Sequence, residues 1–242
     1  MKTGLNFIQR VFYCATYFDS AQYDNARFGQ SERSRRLWKC FPSKFNHVLI
    51  ILLLFPIVVF AQGQLLDSLS LVNAKEFTNL DSALKTPDEV IRLVLRKNKL
   101  KEIPKEIFQF TNLQYLDLSK NKIKEIPEDI GKLQNLQKLI LSRNNIEVLP
   151  KEIGMLKNLT ELNVNQNDLI SIPSQIASLE NLVYLDLWSN NLSGLPDEIG
   201  NLKKLRELDL RVILLDDSEQ ERIKELLPKT TIYFSPSCKC KQ

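Results

Sequence analysis

Histidine is almost absent from this 242-residue chain, and glycine is scarce. The single histidine, His47, lies at the edge of an apolar run, so the remaining residues offer no Ser-His-Asp or Cys-His catalysis and no histidine metal site. The seven glycines form no glycine-rich phosphate loop. These absences predict a protein without enzymatic activity, cofactor or bound metal.

The four cysteines also give no indication of a catalytic site. Cys14 and Cys40 lie in the first part of the chain, and Cys238 and Cys240 lie in the last five residues. One intervening residue would strain a disulfide between the last two, and two thiols are too few for a structural zinc site. A metal-binding tail, an intermolecular bridge and an inert terminus remain open for them.

The net charge of +4 comes from the front of the chain. Residues 1–61 hold eight Lys and Arg against three Asp and Glu, and the remainder holds 25 basic and 26 acidic residues. No nucleic-acid-binding motif is present either. The sequence therefore predicts no nucleic-acid partner.

Residues 48–61 form an apolar run of 14, shorter than the roughly 20 residues of a spanning helix. Basic residues precede this run, and Val59 and Ala61 occupy cleavage-site positions, as in a secretory signal peptide. We expect residues 47–61 to direct export, with cleavage near Ala61 and a secreted or cell-envelope location. The 1–46 extension is long for a signal peptide, so either the start is misassigned or the run is an uncleaved membrane anchor.

Two residue types recur with a period of 23 after this segment. The prolines are Pro104, Pro127, Pro150, Pro173 and Pro196, and the asparagines are Asn98, Asn121, Asn144, Asn167 and Asn190. A fixed period of this size indicates a repeat array, and five full units align without a gap over residues 90–204.

Each unit has the composition of a short strand, a turn and an irregular return path. Leu116 and Leu118 alternate with polar residues, which predicts a strand with one buried face. Asn121 then marks a turn, where its amide has donors and an acceptor for backbone groups of neighbouring units. Pro127 suits the non-sheet return path because it has no backbone donor. Stacking buries the apolar side chains that a single unit would leave exposed to solvent.

The pattern L-x-x-L-x-L-x-x-N-x-L-x-x-I-P resembles the leucine-rich repeat in its 23-residue class, over about 145 residues. The resemblance implies an α/β solenoid of about six repeats, with one parallel sheet on its concave side and both ends capped. We assign 62–89 to an N-terminal cap, 90–212 to the repeats, 213–234 to a C-terminal cap with a helix and an edge strand, and 235–242 to a tail.

In such a fold the residues that alternate with the buried leucines share the concave face, which the resemblance implies is the ligand surface. Basic residues gather in the early repeats, and acidic residues and aromatics gather in the late ones. Trp, Tyr and Arg are frequent anchors of binding energy. The predicted ligand-binding residues are Tyr115, Lys138, Ile140, Tyr184, Asp186, Trp188, Asp209 and Arg211.

The sequence therefore predicts a non-catalytic, exported module that binds a protein or peptide on its concave face. A structural or adhesive surface array is the alternative, and a glycan-binding accessory protein that stacks sugars on Tyr184 and Trp188 is a further one. A membrane enters only through residues 48–61, if these are not cleaved.

Overall fold

A computed structural model describes residues 65–235. The predictions for residues 1–46 and 47–61, and for Cys238 and Cys240, lie outside these residues. The described chain forms one eight-stranded, all-parallel sheet whose strand order follows the sequence. The strands are β1 (Glu76–Phe77), β2 (Arg92–Val94), β3 (Tyr115–Asp117), β4 (Lys138–Ile140), β5 (Glu161–Asn163), β6 (Tyr184–Asp186), β7 (Glu207–Leu210) and β8 (Thr231–Phe234).

Short 3-10 helices form the return path of the repeats. They span Pro87–Glu89, Lys105–Gln109, Glu128–Lys132, Lys151–Met155, Ser174–Ser178 and Asp197–Asn201. Each of the five periodic prolines directly precedes one of them. The Pro127 carbonyl, for example, accepts from the Ile130 N–H at 3.0 Å. Proline fits there because this position needs an acceptor and a fixed φ but no donor.

One apolar core runs the length of the described repeats. The leucine at the centre of each strand from β2 to β7 is fully buried, as at Leu116, Leu139 and Leu162, and Ile130 and Leu133 bury the return path from the opposite side. In successive strands these residues are in register, Leu116 with Leu139 and Leu139 with Leu162. The predicted solenoid with a single parallel sheet is confirmed.

Buried asparagines connect each repeat to the one before it. The Asn144 side-chain nitrogen donates to the Leu141 and Leu118 carbonyls at 2.8 and 3.1 Å, and its oxygen accepts from the Ile123 N–H at 3.1 Å. Asn121, Asn167 and Asn190 repeat this pattern of bonds. Backbone groups that face the core are satisfied in this way.

Asn98 does not belong to this ladder, in contrast to the sequence-based prediction. Its side chain is exposed. The partners of a ladder asparagine lie 21 and 26 residues earlier, and for Asn98 those positions are Phe77 in β1 and Val72 in a helix. The unit before Asn98 is a cap and not a repeat, so the turn that would receive its amide is missing from this place in the fold.

The N-terminal end contains more secondary structure than the sequence indicates. Helix α1 (Ser68–Asn73) begins after Asp67, whose carboxylate accepts from the Leu69 and Ser70 N–H groups. Strand β1 follows and pairs with β2, and helix α2 (Leu80–Ala83) lies within the stretch 62–89 that the sequence assigns to the N-terminal cap. Leu66 is tied to the buried Gln114 and Gln137, with N–O distances of 2.8 and 2.9 Å.

The C-terminal end is closed by helix α3 (Asp217–Leu226) and strand β8. Asp216 caps α3 by accepting from the Glu219 N–H at 2.8 Å. Glu219 accepts in turn from the Leu195 N–H at 3.0 Å, which attaches the helix to the last repeat, and it pairs with Arg222 of the same helix at 2.7 Å. No helix within residues 65–235 has the length and apolar character that a membrane-spanning helix requires.

Candidate ligand-binding face

The strand register defines the columns of side chains on the concave face. In the first column each residue pairs with the next along Arg92, Tyr115, Lys138, Glu161, Tyr184, Glu207 and Thr231. In the second column the order is Val94, Asp117, Ile140, Asn163, Asp186, Asp209 and Tyr233. Adjacent members of a column lie about 4.8 Å apart, the spacing of neighbouring strands.

Tyr233 is a residue of this face that sequence reasoning missed. It lies on β8, pairs with Asp209, and keeps about 42% of its surface exposed. It lies within residues 213–234, where the sequence predicts a C-terminal cap with an edge strand. The parallel, in-register pairing of β8 with β7 places Tyr233 in the second column, and the sequence does not reveal that pairing.

Aspartate and asparagine residues in the second column cap the strand ends. Oδ1 of Asp117, Asp186 and Asp209 accepts from the N–H two residues later at 2.8–3.0 Å, and Asn163 does the same at 3.1 Å. Asp186 and Asp209 are only 5% exposed. Their predicted role as ligand contacts is therefore corrected, because burial and internal bonds make both carboxylates parts of the scaffold.

Asp186 also holds two neighbours in place. Its Oδ2 accepts from Asn165 Nδ2 at 2.6 Å and from the Tyr184 hydroxyl at 3.4 Å. Burial raises the pKa of Asp186, against the opposing effect of the Asn165 and Trp188 hydrogen bonds. Burial first, then the Asp186 and Asp209 charges, raises the pKa of Tyr184 to about 12. Tyr184 therefore stays a neutral hydroxyl on the face.

Arg211 is bound to its own strand end. Its guanidinium donates to both oxygens of Asp209 at 2.6–3.1 Å and lies 5.7 Å from the centre of the Tyr233 ring. The hydrogen bonds that Arg211 donates to Asp209, followed by the charge of that carboxylate, raise the pKa of Arg211. The buried carboxylate is thus neutralised, and the planar cation rests beside an exposed aromatic ring.

The early half of the face is occupied by internal pairs. Lys138 Nζ lies 2.8 Å from Glu161, and Arg92 lies 2.9 Å from Glu76 and 4.7 Å from the centre of the Tyr115 ring. Burial, followed by the Asp117 charge, raises the pKa of Tyr115. Ile140 is half-buried between these polar columns. Tyr115 and Lys138 are thus engaged with neighbouring strands.

The late half presents three partly exposed aromatic side chains around the two buried carboxylates. We call Tyr184, Trp188 and Tyr233 the aromatic patch. The structure thus brings Tyr184, Trp188 and Arg211 together at one end of the face and leaves Tyr115, Lys138 and Ile140 at the other. Residues 65–235 contain no group of three or more His, Cys, Asp or Glu residues that could hold a metal ion.

Two family models match the repeats. The model described as a leucine-rich repeat region matches residues 136–231, and the model described as leucine rich repeat matches residues 89–146. Together with the parallel sheet and the asparagine ladder, these matches decide the family. The chain belongs to the leucine-rich repeat family. The comparison of this leucine-rich repeat protein with curated proteins gives no match.

Solved structures with bacterial leucine-rich repeats are similar to it. A leucine-rich repeat protein of Leptospira interrogans is 36% identical with a TM-score of 0.55, over 67% of this chain and 47% of that one. An internalin of Listeria monocytogenes is 26% identical with a TM-score of 0.50, over 56% of this chain and 39% of that one. This leucine-rich repeat protein therefore spans less than half of the length of either relative.

Proposed function

We propose that this leucine-rich repeat protein is a non-catalytic binding module that takes a protein or peptide ligand on its concave face. The observation that carries the proposal is the aromatic patch, which stands partly exposed on a sheet where Lys138, Asp186 and Asp209 are engaged in internal contacts. Trp and Tyr are enriched among residues that dominate binding energy. Here they project from a rigid parallel sheet, where few side-chain torsions remain to be ordered on binding.

The scaffold supports this role by holding the patch before a ligand arrives. The Tyr184 hydroxyl donates to Asp186, the backbone N–H of Trp188 donates to the same carboxylate at 3.0 Å, and Arg211 lies over Tyr233. An extended peptide fits a parallel sheet face of this kind, with apolar side chains on the patch and its basic groups near the exposed Glu207. The buried Asp186 and Asp209 hold neighbouring side chains in place and do not themselves contact the ligand.

A substitution at Trp188 tests the proposal. Peptides are selected from a random display library on the full-length protein, and their affinities are measured for the wild type and for Trp188→Ala. We expect a loss of more than about tenfold, as for a binding hot spot, with a nearly unchanged thermal transition. Met155→Ala is the matched control, because Met155 is about half exposed on a 3-10 helix away from the sheet. Equal affinities for wild type and Trp188→Ala would reject the proposal.

A structural role is the second candidate, and the outer edge of β8 is the observation that favours it. β8 is the last strand of the sheet and pairs on one side with β7. An open edge is a template for pairing with another chain. Association of this kind predicts a mass in solution that rises with protein concentration, and a constant monomer mass would exclude it.

The export of this module is a part of the same proposal. It rests on the apolar run 48–61 with its basic flank and small following residues. The test is the intact mass of the protein recovered from culture medium and cell envelope. A mass that begins at Gln62 supports cleavage and export, and a mass that retains residues 48–61 supports a membrane-anchored receptor-like head instead.

A further inference from the structure

Charge is separated along the solenoid. Residues 90–145 contain 12 Lys and Arg against six Asp and Glu, whereas residues 146–235 contain nine against 15. The first half thus carries a net charge of +6 and the second half of −6. Such a field acts on the approach and orientation of any charged ligand along the sheet.

The positive charge concentrates where the early strands end. Lys97, Lys120 and Arg143 occupy the same position in successive repeats. The backbone N–H of each donates to a carbonyl of the next repeat, at 2.8–3.1 Å, and the acceptor for Lys97 is the Ser119 carbonyl. Their side chains therefore rise about one strand spacing, roughly 4.8 Å, apart. Arg96 adjoins Lys97 in the chain. We call Arg96, Lys97, Lys120 and Arg143 the basic edge.

The basic edge has no acidic partner among the described residues, and Arg143 Nε donates a side-chain hydrogen bond to the neutral Gln166 Oε1 at 2.6 Å. None of the ion pairs within residues 65–235 involves any of its four cations. The charge of Arg96, followed by desolvation and then the charges of Arg143 and Lys97, lowers the pKa of Lys120. The immediate surroundings of the Lys120 ammonium are thus cationic, and an anion placed there would relieve repulsion.

The backbone at these positions argues against a role in stability. Lys97, Lys120 and Arg143 have φ of 58–61°, in the left-handed region that favours glycine and asparagine. The later repeats place Gln166, Ser189 and Val212 at the same position, with φ of 52–56°. The cations therefore contribute nothing that the turn needs, because neutral side chains serve the same turn elsewhere.

We propose that the basic edge binds an acidic segment of the protein ligand whose apolar part lies on the aromatic patch. This inference rests on the proposed function, and it names the chemistry of the partner. From Lys120 to the strand of Trp188 there are three strand spacings, or about 14 Å. An extended peptide covers that distance with about four residues. The ligand therefore carries Asp or Glu residues about four positions from an aromatic or aliphatic anchor.

Two features favour an acidic protein segment over nucleic acid or an anionic polysaccharide. Recognition of single-stranded nucleic acid relies on aromatic side chains among the cations, and the aromatic patch lies at the other end of the face. A long, uniform polyanion that followed the sheet would also run into the half with a net charge of −6. A short acidic stretch within a chain of mixed charge meets no such repulsion.

Fluorescence anisotropy with a labelled oligoglutamate peptide tests the inference on the full-length protein. A heparin oligosaccharide and an oligothymidylate of matched length serve as comparators. We expect oligoglutamate to bind at about 20 mM salt and to weaken strongly at about 150 mM, where the screening length is about 8 Å. We also expect it to bind better than either comparator. Absence of binding at low salt, or preference for a comparator, would overturn the assignment.

Two triple variants locate the binding. Lys97→Gln/Lys120→Gln/Arg143→Gln removes three charges from the basic edge, and Lys151→Gln/Lys203→Gln/Lys204→Gln removes three exposed charges elsewhere. About tenfold weaker oligoglutamate binding in the first variant and little change in the second is the expected result. Equal losses in both would show binding to net charge alone and would overturn the inference. Trp188→Ala should leave oligoglutamate binding intact, so the test of the proposed function remains separate.

Discussion

Asn144 donates its side-chain amide to the carbonyl of Leu118, 26 residues earlier in the chain, at 3.1 Å. The same side chain also bonds the Leu141 carbonyl and the Ile123 N–H. One buried amide thus satisfies three backbone groups in two repeats. The bond is the structural reason for the 23-residue asparagine period, because it forms only when two turns of the solenoid stack.

Asn144→Ala should therefore destabilise the protein. Three buried backbone groups lose their partner, and an unsatisfied buried group costs roughly 1–3 kcal/mol, so we expect a loss of about 2–5 kcal/mol. Chemical denaturation measures it. Asn98→Ala is the control, since Asn98 is exposed and outside the ladder, and should change stability by less than about 0.5 kcal/mol. Similar losses in the two variants would contradict the structural assignment.

Tyr184 should make stability fall at high pH. Its pKa is raised from 10.0 to about 12 in the folded state. Since the unfolded chain releases this proton first, the contribution of the protonated hydroxyl is lost as pH rises from about 10 towards 12. Thermal unfolding between pH 9 and 11 checks this. Tyr184→Phe should show a shallower decline than the wild type, and parallel curves would contradict the raised pKa.

Asp186→Asn should stabilise the protein at neutral pH. Burial raises the pKa of Asp186 above 3.8, so its contribution is full below that value and is lost as pH rises through the folded pKa. The variant should therefore have a higher Tm than the wild type at pH 7, and the difference should shrink as pH falls towards 4. Asparagine can keep the cap, as Asn163 does in the preceding strand, and its Nδ2 can donate to the Asn165 amide oxygen and the Tyr184 hydroxyl oxygen once these two groups turn to accept.

The reciprocal substitution serves as a control for that pH dependence. Asn163→Asp places a second carboxylate beside Asp186 in the same column, and it should lower Tm at pH 7 and recover at acid pH. A neutral-pH loss in both variants would indicate that geometry at the strand ends, and not charge, determines their stability.

Val212→Asn should raise stability by about 1 kcal/mol, because a β-branched residue is poorly suited to left-handed backbone and asparagine tolerates it. Val212 has φ of 56° and is exposed, so no core contact is removed. The backbone hydrogen bond from its N–H to Ser235 Oγ at 2.6 Å is retained. Lys120→Asn, at the same position in an earlier repeat, should gain less. A lower Tm for Val212→Asn would contradict this account.

Local periodicity explains why most of the fold was predictable. The leucines, prolines and asparagines recur at one spacing, and each type has a distinct physical role in a stacked turn. The strands, the return path and the register follow from that spacing. The two-residue strand β1 and helix α1 were missed because neither is long enough to show a period of its own.

The candidate site was only partly predictable. The concave columns follow from alternation, and the gathering of Tyr184 and Trp188 follows from their repeat. The burial of Asp186 and Asp209 was not predictable, because an aspartate that alternates with buried leucines is expected to be exposed. Its burial depends on the turn after the strand, whose backbone N–H the carboxylate caps. The Lys138–Glu161 pair, 2.8 Å long, likewise joins residues 23 positions apart.

The amino-acid sequence by itself determined that this protein consists of stacked 23-residue units, because a repeated set of apolar side chains is buried only when neighbouring units stack. Only the tertiary structure decided which members of each column face solvent. Asn98 lies outside the ladder and Tyr233 lies on the face for the same reason. Both are located where a repeat contacts a cap, and a cap does not place side chains at the positions that the 23-residue period predicts.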